Sequence, residues 1–205
     1  MEKKKNDFIA QGSILAIASI LVRVMGMIYR IPMTAIIGDK GNGFYSYAYS
    51  VYTILLLLSS YSLPLAVSKM VSAKAQLGQW RNVKRVFICA IAFAIGIGTT
   101  FGLIVLIGAQ FFTRVFFHSE LAAIALRFMA PTILIMALLG VFRGFFQGLQ
   151  NTLPTAVSQI VEGLINAIMS VVFAYFLFDF GHGMDAAGGT TDLGYAWGAA
   201  GGAIG

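Results

Sequence analysis

Charged residues are scarce in this chain. Asp, Glu, Lys and Arg make up only 11% of its 205 residues, whereas they make up about 25% of an average soluble domain. Aliphatic, aromatic and sulfur-containing residues make up 59%. This composition excludes an ordinary soluble domain and indicates a protein whose surface meets lipid.

Cysteine and histidine are also rare. Cys89 is the single cysteine, so the chain cannot form an internal disulfide. The two histidines, His118 and His182, fall in different predicted loops, and no pair of Cys or His residues has metal-ligand spacing. No serine stands in a nucleophile-elbow or phosphate-loop motif. We therefore expect neither catalytic residues nor a resident metal or other cofactor.

Long hydrophobic runs are abundant. No residue from Val86 to Phe112 is charged, and about 20 apolar residues suffice to cross a bilayer. The last run reaches only about 18 Å as a helix, which is too short to cross. The sequence predicts an all-α integral membrane protein, a single domain of five transmembrane helices and a truncated sixth. The predicted spans are 8–37, 43–70, 86–112, 121–149, 155–178 and 194–205, the last incomplete.

Basic residues cluster on alternate connections between these spans. The N-terminus carries Lys3, Lys4 and Lys5, and segment 69–85 carries five more basic residues, whereas the other connections have few. The positive-inside rule then predicts a cytoplasmic N-terminus in a multi-pass protein. The net charge of +6 therefore reflects topology, and we expect no nucleic-acid partner. Segment 69–85, which also holds Trp80, is either a topogenic loop or a site for anionic membrane lipids.

Two arginines lie inside the first predicted span. Arg23 is near its middle, and Arg30 follows seven residues later, so both side chains leave one helical face about 10 Å apart. A central arginine costs about 2.5 to 3.5 kcal/mol on insertion scales, which suggests an anionic ligand or a wet cavity. The alternative is that the helix ends early and both side chains extend to the headgroups. Pro32 is expected to kink or end this helix.

The fifth predicted span carries a polar stripe within about a quarter-turn of the helical wheel. Its members are Thr155, Gln159, Glu162, Asn166 and Ser170. Arg143 in the fourth span lies at a similar depth to Glu162 in an antiparallel helix pair, so we expect the two to pair. The pair would either neutralise two buried charges or line a polar pathway.

Small and aromatic residues predict how the other helices pack. Gly140, Gly144 and Gly148 repeat every four residues, as in small-residue packing faces, and Gly98 and Gly102 repeat this spacing in the third span. Arg143 and Gln147 lie on a face beside the first set. In the second span, the tyrosines at helical spacing are typical of an aromatic belt at the headgroups. These are Tyr45, Tyr49 and Tyr52.

Three blocks of sequence resemble a known family. They are RVMGMIYRIPMTAIIGDKGNGFYSYAYSVYTILL, YSLPLAVSKMVS and FRGFFQGLQNTLPTAVSQIVE. They resemble the N-terminal half of stage V sporulation protein B-like and MurJ-type lipid flippases, in the MATE-like MOP superfamily. The resemblance implies two six-helix lobes around a central cavity, of which this chain would be most of the first and would lack the C-terminal lobe.

The same resemblance suggests roles for individual residues. Arg23 matches an arginine of an RVLG-type motif that lines the flippase cavity, whereas the second such arginine aligns with Tyr29, one residue before Arg30. The family's second-helix arginine has no counterpart before Lys69. Arg23, Arg30 and Tyr29 would therefore contact substrate. A gate or polar pathway would comprise Arg143, Gln147, Gln159, Glu162 and Asn166.

The function that this implies is a flippase of the bacterial plasma membrane. Its cargo would be an anionic polyprenyl-pyrophosphate-linked saccharide, such as a peptidoglycan or polysaccharide precursor. One alternative is a MATE-type multidrug or cation antiporter, and another is an inactive half-transporter or membrane scaffold. Because arginines outnumber Glu162 within the spans, anionic cargo is favoured over cationic cargo.

Overall fold

The computed structural model describes the backbone of residues 2–60, 62–188 and 192–205, and the side chains of 12–58, 62–185 and 192–205. Regular structure in these ranges is helical, without strands. The helices are α1 (Glu2–Ser60), α2 (Leu63–Gln76), α3 (Trp80–Phe117), α4 (Ala122–Gly148), α5 (Leu153–Gly188) and α6 (Leu193–Ile204). The predicted orientation rests partly on Lys3, Lys4 and Lys5. Their side chains lie outside the described residues.

Helix α1 is divided into two arms at Gly38. The backbone of Gly38 is non-helical, with φ 64° and ψ −176°, a left-handed φ that glycine adopts at no steric cost. Residues 2–37 form the first arm and residues 39–60 the second. The arms converge, because a Cβ on Gly202 in α6 would meet both Met33 of the first arm and Tyr45 of the second.

Two prolines lie within helices without ending them. Pro32 lies inside α1 and does not end it. The break falls instead at Gly38, and helix resumes at once, so the loop predicted at 38–42 is replaced by a single residue. The span predicted at 43–70 is split between α1 and α2, and Pro64 occupies the first turn of α2. A proline is tolerated there because the first N–H groups of a helix have no partner inside it.

The connection predicted at 69–85 is mostly helical. Helix α2 continues to Gln76 and α3 begins at Trp80, before the predicted start at Val86. Only three residues join them, and Gly78 among them has φ 68°, a conformation common just after a helix C-terminus. The basic side chains of this segment are therefore carried on two helix ends.

Glycine faces hold α2, α3 and α4 together, as predicted. A Cβ on Gly144 would lie 2.5 Å from the carbonyl oxygen of Pro64, and one on Gly148 would lie 2.7 Å from Val71 Cβ. Gly98 of α3 approaches the backbone of Leu134 in α4 in the same way. Small-residue spacing thus lets helix backbones approach closely.

Helix α6 is packed against α5 and α1. Its residues are mostly glycine and alanine, and all of these glycines and alanines are buried. A Cβ on Gly201 would clash with the carbonyl oxygen of Phe173 in α5. The carboxylate of Asp185 accepts hydrogen bonds from the backbone N–H groups of Leu193 and Gly194, at 3.0 and 2.9 Å. Helix α5 therefore extends beyond its predicted end at Phe178, and its last turns cap α6.

Four helical stretches among the described residues are long and apolar enough to cross a membrane. The first, Gly12–Gln76, would be about 98 Å long if straight, which is about three times the hydrocarbon thickness of a bilayer. The break at Gly38 divides it into two arms that can each cross. Large apolar side chains cover the outside, with Ile107 80% exposed. The chain is an all-α integral membrane protein.

Candidate functional site

The two arms of α1 and helix α5 enclose a polar hollow of about 610 Å³, which we call the arginine hollow. Its volume falls within the about 300 to 1,000 Å³ of typical ligand pockets. The first arm contributes both arginines and Tyr29, the second arm contributes tyrosines and serines, and α5 contributes one amide. The polar lining residues are Arg23, Tyr29, Arg30, Tyr45, Ser46, Tyr49, Ser50 and Asn166.

Arg23 and Arg30 share one wall of this hollow. The first arm is helical across both residues and onward to Ile37, so the seven-residue spacing places them two turns apart on the same face. The helix therefore does not end early, as one part of the alternative required. Tyr29, the position aligned with the second flippase arginine, lines the same hollow. Among the described residues, no acidic side chain forms a salt bridge with either arginine.

The facing wall comes from the second arm of α1. The rings of Tyr45 and Tyr49 stack with centroids 5.9 Å apart and an interplanar angle of 14°. Ser46 and Ser50 lie between them in sequence, and all four residues line the hollow. Reasoning from sequence assigned the tyrosines to an aromatic belt and missed this wall. The interleaved serines were the available signal, because an aromatic belt has no need of hydroxyls on the same face.

Asn166 brings α5 into the arginine hollow. Its carboxamide oxygen accepts a hydrogen bond of 2.9 Å from the hydroxyl of Ser170. The sequence grouped Asn166 with Gln159 and Glu162 because all three lie on the polar stripe of the fifth span. The structure divides that stripe, since Asn166 lines the arginine hollow whereas Gln159 lines a different one.

The second hollow, which we call the Arg143 hollow, is about 290 Å³ and lies between α1, α2, α4 and α5. Arg143, Gln147 and Gln159 are its polar lining residues. The guanidinium of Arg143 forms an ion pair with the carboxylate of Glu162, and its Nε donates a hydrogen bond of 3.1 Å to the hydroxyl of Ser158. The predicted pairing of Arg143 with Glu162 is confirmed. Their role in a gate stays a prediction.

Two buried polar atoms near this pair have no hydrogen-bond partner among the described residues. They are Oγ1 of Thr155 and Oε1 of Gln159, both on α5. Buried polar atoms of native proteins are usually satisfied by protein or by water. Gln159 also lines the Arg143 hollow, so one wall residue of that hollow carries a buried, unpaired amide oxygen.

A third hollow, of about 550 Å³, lies between the C-terminal ends of α2 and α4 and the start of α3. It is lined by Ser72, Gln76, Trp80 and Gln150, among others, and Trp80 is 63% exposed. The basic residues of segment 69–85 lie on both sides of Trp80 in the sequence. Among the described residues, no group of three His, Cys, Asp or Glu side chains is arranged to hold a metal.

Long apolar helices with charged and polar side chains in the hollows between them define a multi-pass membrane protein. The comparison with known families agrees with this class. The chain belongs to the polysaccharide biosynthesis protein family, whose sequence profile matches residues 8–190.

Three proteins of Bacillus subtilis (strain 168) are similar to this chain. Lipid II flippase MurJ is 27% identical over 163 residues, which are 76% of this chain and 30% of that protein. Stage V sporulation protein B is 26% identical over 184 residues, 90% of this chain and 36% of that protein. Uncharacterized membrane protein YabM is 26% identical over 185 residues, 90% of this chain and 34% of that protein.

The chain thus spans about a third of the length of these relatives. No solved structure matches it significantly. The resemblance to flippases of the MOP superfamily, drawn above from three sequence blocks, is confirmed by the family and by the relatives. The chain is accordingly a multi-pass bacterial membrane protein of a flippase-containing family.

Proposed function

We propose that this chain forms part of a flippase that moves an anionic polyprenyl-pyrophosphate-linked saccharide across the plasma membrane. The observation that carries the proposal is the position of Arg23 and Arg30 on one wall of a 610 Å³ hollow between membrane-crossing arms. A guanidinium stays protonated in proteins and matches phosphate oxygens with two parallel hydrogen bonds. Two arginines about 10 Å apart can therefore engage a pyrophosphate and keep it from the hydrocarbon.

The energy of placing these cations in the membrane favours a ligand. Each arginine costs about 2.5 to 3.5 kcal/mol to insert at the centre of a helix. A hydrogen bond to a charged group returns about 1.5 to 3 kcal/mol. An anion bound by both arginines would offset most of that cost, whereas a cationic drug would add to it. This difference is why we propose a flippase rather than a cation antiporter.

Arg143 and Glu162 act as a gate in this proposal. Their ion pair links α4 to α5 beside a hollow with an unsatisfied amide oxygen on Gln159. Opening the pair would free Arg143 for a phosphate group as cargo passes from the Arg143 hollow to the arginine hollow. Gln147 and Gln159 would solvate the polar headgroup on that path.

The rest of the assembly follows from length and charge. Relatives about three times longer suggest that a second lobe completes the cavity around the exposed side of the first arm. The N-terminus would be cytoplasmic. The exposed Trp80 and the basic residues of segment 69–85 would contact anionic headgroups at about 1 kcal/mol for each basic side chain.

The test is transport by the complete gene product that carries this chain, reconstituted in proteoliposomes with a fluorescent undecaprenyl-pyrophosphate-linked saccharide. We expect Arg23→Gln and Arg30→Gln each to lower the flipping rate at least tenfold. Arg127→Gln is the matched control, because Arg127 is an exposed arginine of α4 that does not line the arginine hollow. Its rate should equal that of the wild type.

Two outcomes would contradict the proposal. Unchanged flipping by the Arg23 and Arg30 variants, at equal amounts of folded protein, would favour a membrane scaffold. Efflux of a cationic dye that depends on a cation gradient and is lost in Glu162→Gln would favour an antiporter.

A further inference from the structure

We infer that the tyrosine and serine wall of the arginine hollow is a saccharide subsite, which binds the sugar next to the phosphates of the same cargo. This inference rests on the proposed function, because it takes Arg23 and Arg30 as the phosphate-binding wall. The wall consists of Tyr45, Ser46, Tyr49 and Ser50 on the second arm of α1. Asn166 of α5 completes the subsite.

The chemistry of this wall suits a sugar better than a phosphate or a lipid tail. Sugars present apolar C–H faces that pack on aromatic rings, and a belt of hydroxyls that exchange hydrogen bonds. Tyr49 offers both kinds of contact, since a tyrosine has an apolar ring and a polar hydroxyl, and 49% of its surface is exposed. Its ring is held in place by stacking on the ring of Tyr45 and by packing against the ring of Tyr52, with centroids 6.1 Å apart.

The polar groups of the wall have unused hydrogen-bonding capacity. The hydroxyl of Ser50 donates to the carbonyl oxygen of Ser46 at 2.8 Å, so the lone pairs of its oxygen remain to accept from a sugar hydroxyl. The oxygen of the Asn166 carboxamide is engaged by Ser170, which leaves the NH₂ group as a donor. The subsite therefore has donors and acceptors but no charge, as a neutral sugar ring requires.

The geometry places this subsite opposite the cations. Arg30 and Tyr45 are fifteen residues apart, a separation of about 22 Å along a straight helix, but the break at Gly38 folds the arms toward each other so that both line one hollow. A pyrophosphate on the first arm thus has its attached sugar facing the second arm. The fold of α1 alone supplies two chemically different halves of one headgroup site.

The experiment compares three lipids that share one carrier. The probes are undecaprenyl pyrophosphate, the same lipid carrying N-acetylglucosamine, and the same lipid carrying galactose, each titrated into the protein in nanodiscs. We expect at least one sugar to strengthen binding to the wild type. Tyr49→Ala should weaken binding of that sugar-bearing lipid about tenfold, since an aromatic contact and a hydrogen bond are each worth up to about tenfold, and leave binding of the bare pyrophosphate lipid unchanged.

Further variants separate the subsite from a folding defect. Tyr49→Phe keeps the ring and loses the hydroxyl, so its loss should be smaller than that of Tyr49→Ala and again confined to the sugar-bearing lipid. Asn166→Ala should show the same selectivity. Tyr47→Ala is the matched control, because Tyr47 stacks on Phe117 at 4.7 Å and does not line the hollow. It should bind all three lipids as the wild type does.

The outcomes distinguish this inference from the proposed function. If neither sugar strengthens wild-type binding, or if Tyr49→Ala weakens the bare and sugar-bearing lipids equally, the saccharide subsite is refuted while the phosphate site stands. If Arg23→Gln leaves binding of the bare pyrophosphate lipid unchanged, the proposed function itself fails.

Discussion

Breaking the ion pair between Arg143 and Glu162 should have unequal consequences for its two partners. The side chain of Arg143 is 15% exposed, and that of Glu162 is 41% exposed. Glu162→Met leaves a guanidinium that is nearly buried and does not give up its proton. Arg143→Met leaves a carboxylate that is much less buried than that guanidinium. The glutamate substitution should therefore be the more damaging.

The structure sets the expected magnitudes. Removing one partner of a buried pair costs about 3 to 5 kcal/mol, and we expect about 3 kcal/mol for Glu162→Met because the pair is only partly buried. Arg143→Met should cost about 1.5 kcal/mol, which includes the lost hydrogen bond to Ser158. The double variant removes both charges and should cost no more than about 1 kcal/mol. The coupling energy, which is the sum of the two single costs minus the cost of the double variant, is then at least about 3.5 kcal/mol.

The assay is reversible unfolding of the purified protein in mixed micelles of dodecyl maltoside and sodium dodecyl sulfate, followed by far-ultraviolet circular dichroism. All four proteins of the cycle are measured at one pH and one detergent concentration. The reasoning is refuted if Arg143→Met destabilises as much as Glu162→Met. A coupling energy below about 0.5 kcal/mol would likewise refute it, since that is the size of an ordinary polar contact between membrane helices.

Three further predictions test the fold and the orientation. Gly144→Ala should destabilise the protein by about 1 to 3 kcal/mol in the same assay, because the added Cβ would lie 2.5 Å from the Pro64 carbonyl oxygen. Gly96→Ala is the control, since a Cβ on Gly96 would have no atom within 4 Å, and it should stabilise the protein by about 0.5 to 1 kcal/mol. Equal effects would disprove the close contact of α2 and α4. Gly38→Ala should cost about 1 to 2 kcal/mol, because alanine strains at its positive φ, and a neutral result would contradict the break. In a Cys89→Ser background, a cysteine at Gln79 should react with a membrane-impermeant maleimide only from inside, and one at His118 only from outside. The reversed pattern would overturn the predicted orientation, and reaction of both from one side would contradict a crossing by α3.

Much of the helical architecture could be predicted because hydropathy and small-residue spacing are local properties. The four-residue repeat alone predicted a packing face on α4, and Gly144 and Gly148 make close contacts with α2 on that face. The interruption of α1 was predicted within 38–42, but its restriction to Gly38 was not, because that sequence contains several glycines and only tertiary packing selects the one that adopts a left-handed φ. The extension of α5 was hidden for a related reason, since Asp185 stabilises that end by capping a helix that follows it.

In the candidate site, too, the local features were predicted and the features that depend on tertiary packing were not. Helical periodicity alone put Arg23 and Arg30 on one face, and similar depth alone paired Arg143 with Glu162. What faces each group depends on how the helices are arranged, so the tyrosine and serine wall opposite the arginines was missed. The polar stripe of α5 was recognised as one surface, but the helix passes two hollows, and its residues divide between them.

The central claim is that two permanent cations in the arginine hollow bind the phosphates of a lipid-linked cargo. The most direct measurement is the ratio of affinities for undecaprenyl pyrophosphate and uncharged undecaprenol, for the wild type and for the double variant Arg23→Gln/Arg30→Gln. One charged hydrogen bond at each arginine is worth about 1.5 to 3 kcal/mol. We therefore predict that the wild type prefers the pyrophosphate at least about 100-fold. The double variant should lose this preference. A double variant that still prefers the pyrophosphate as strongly as the wild type would contradict the account.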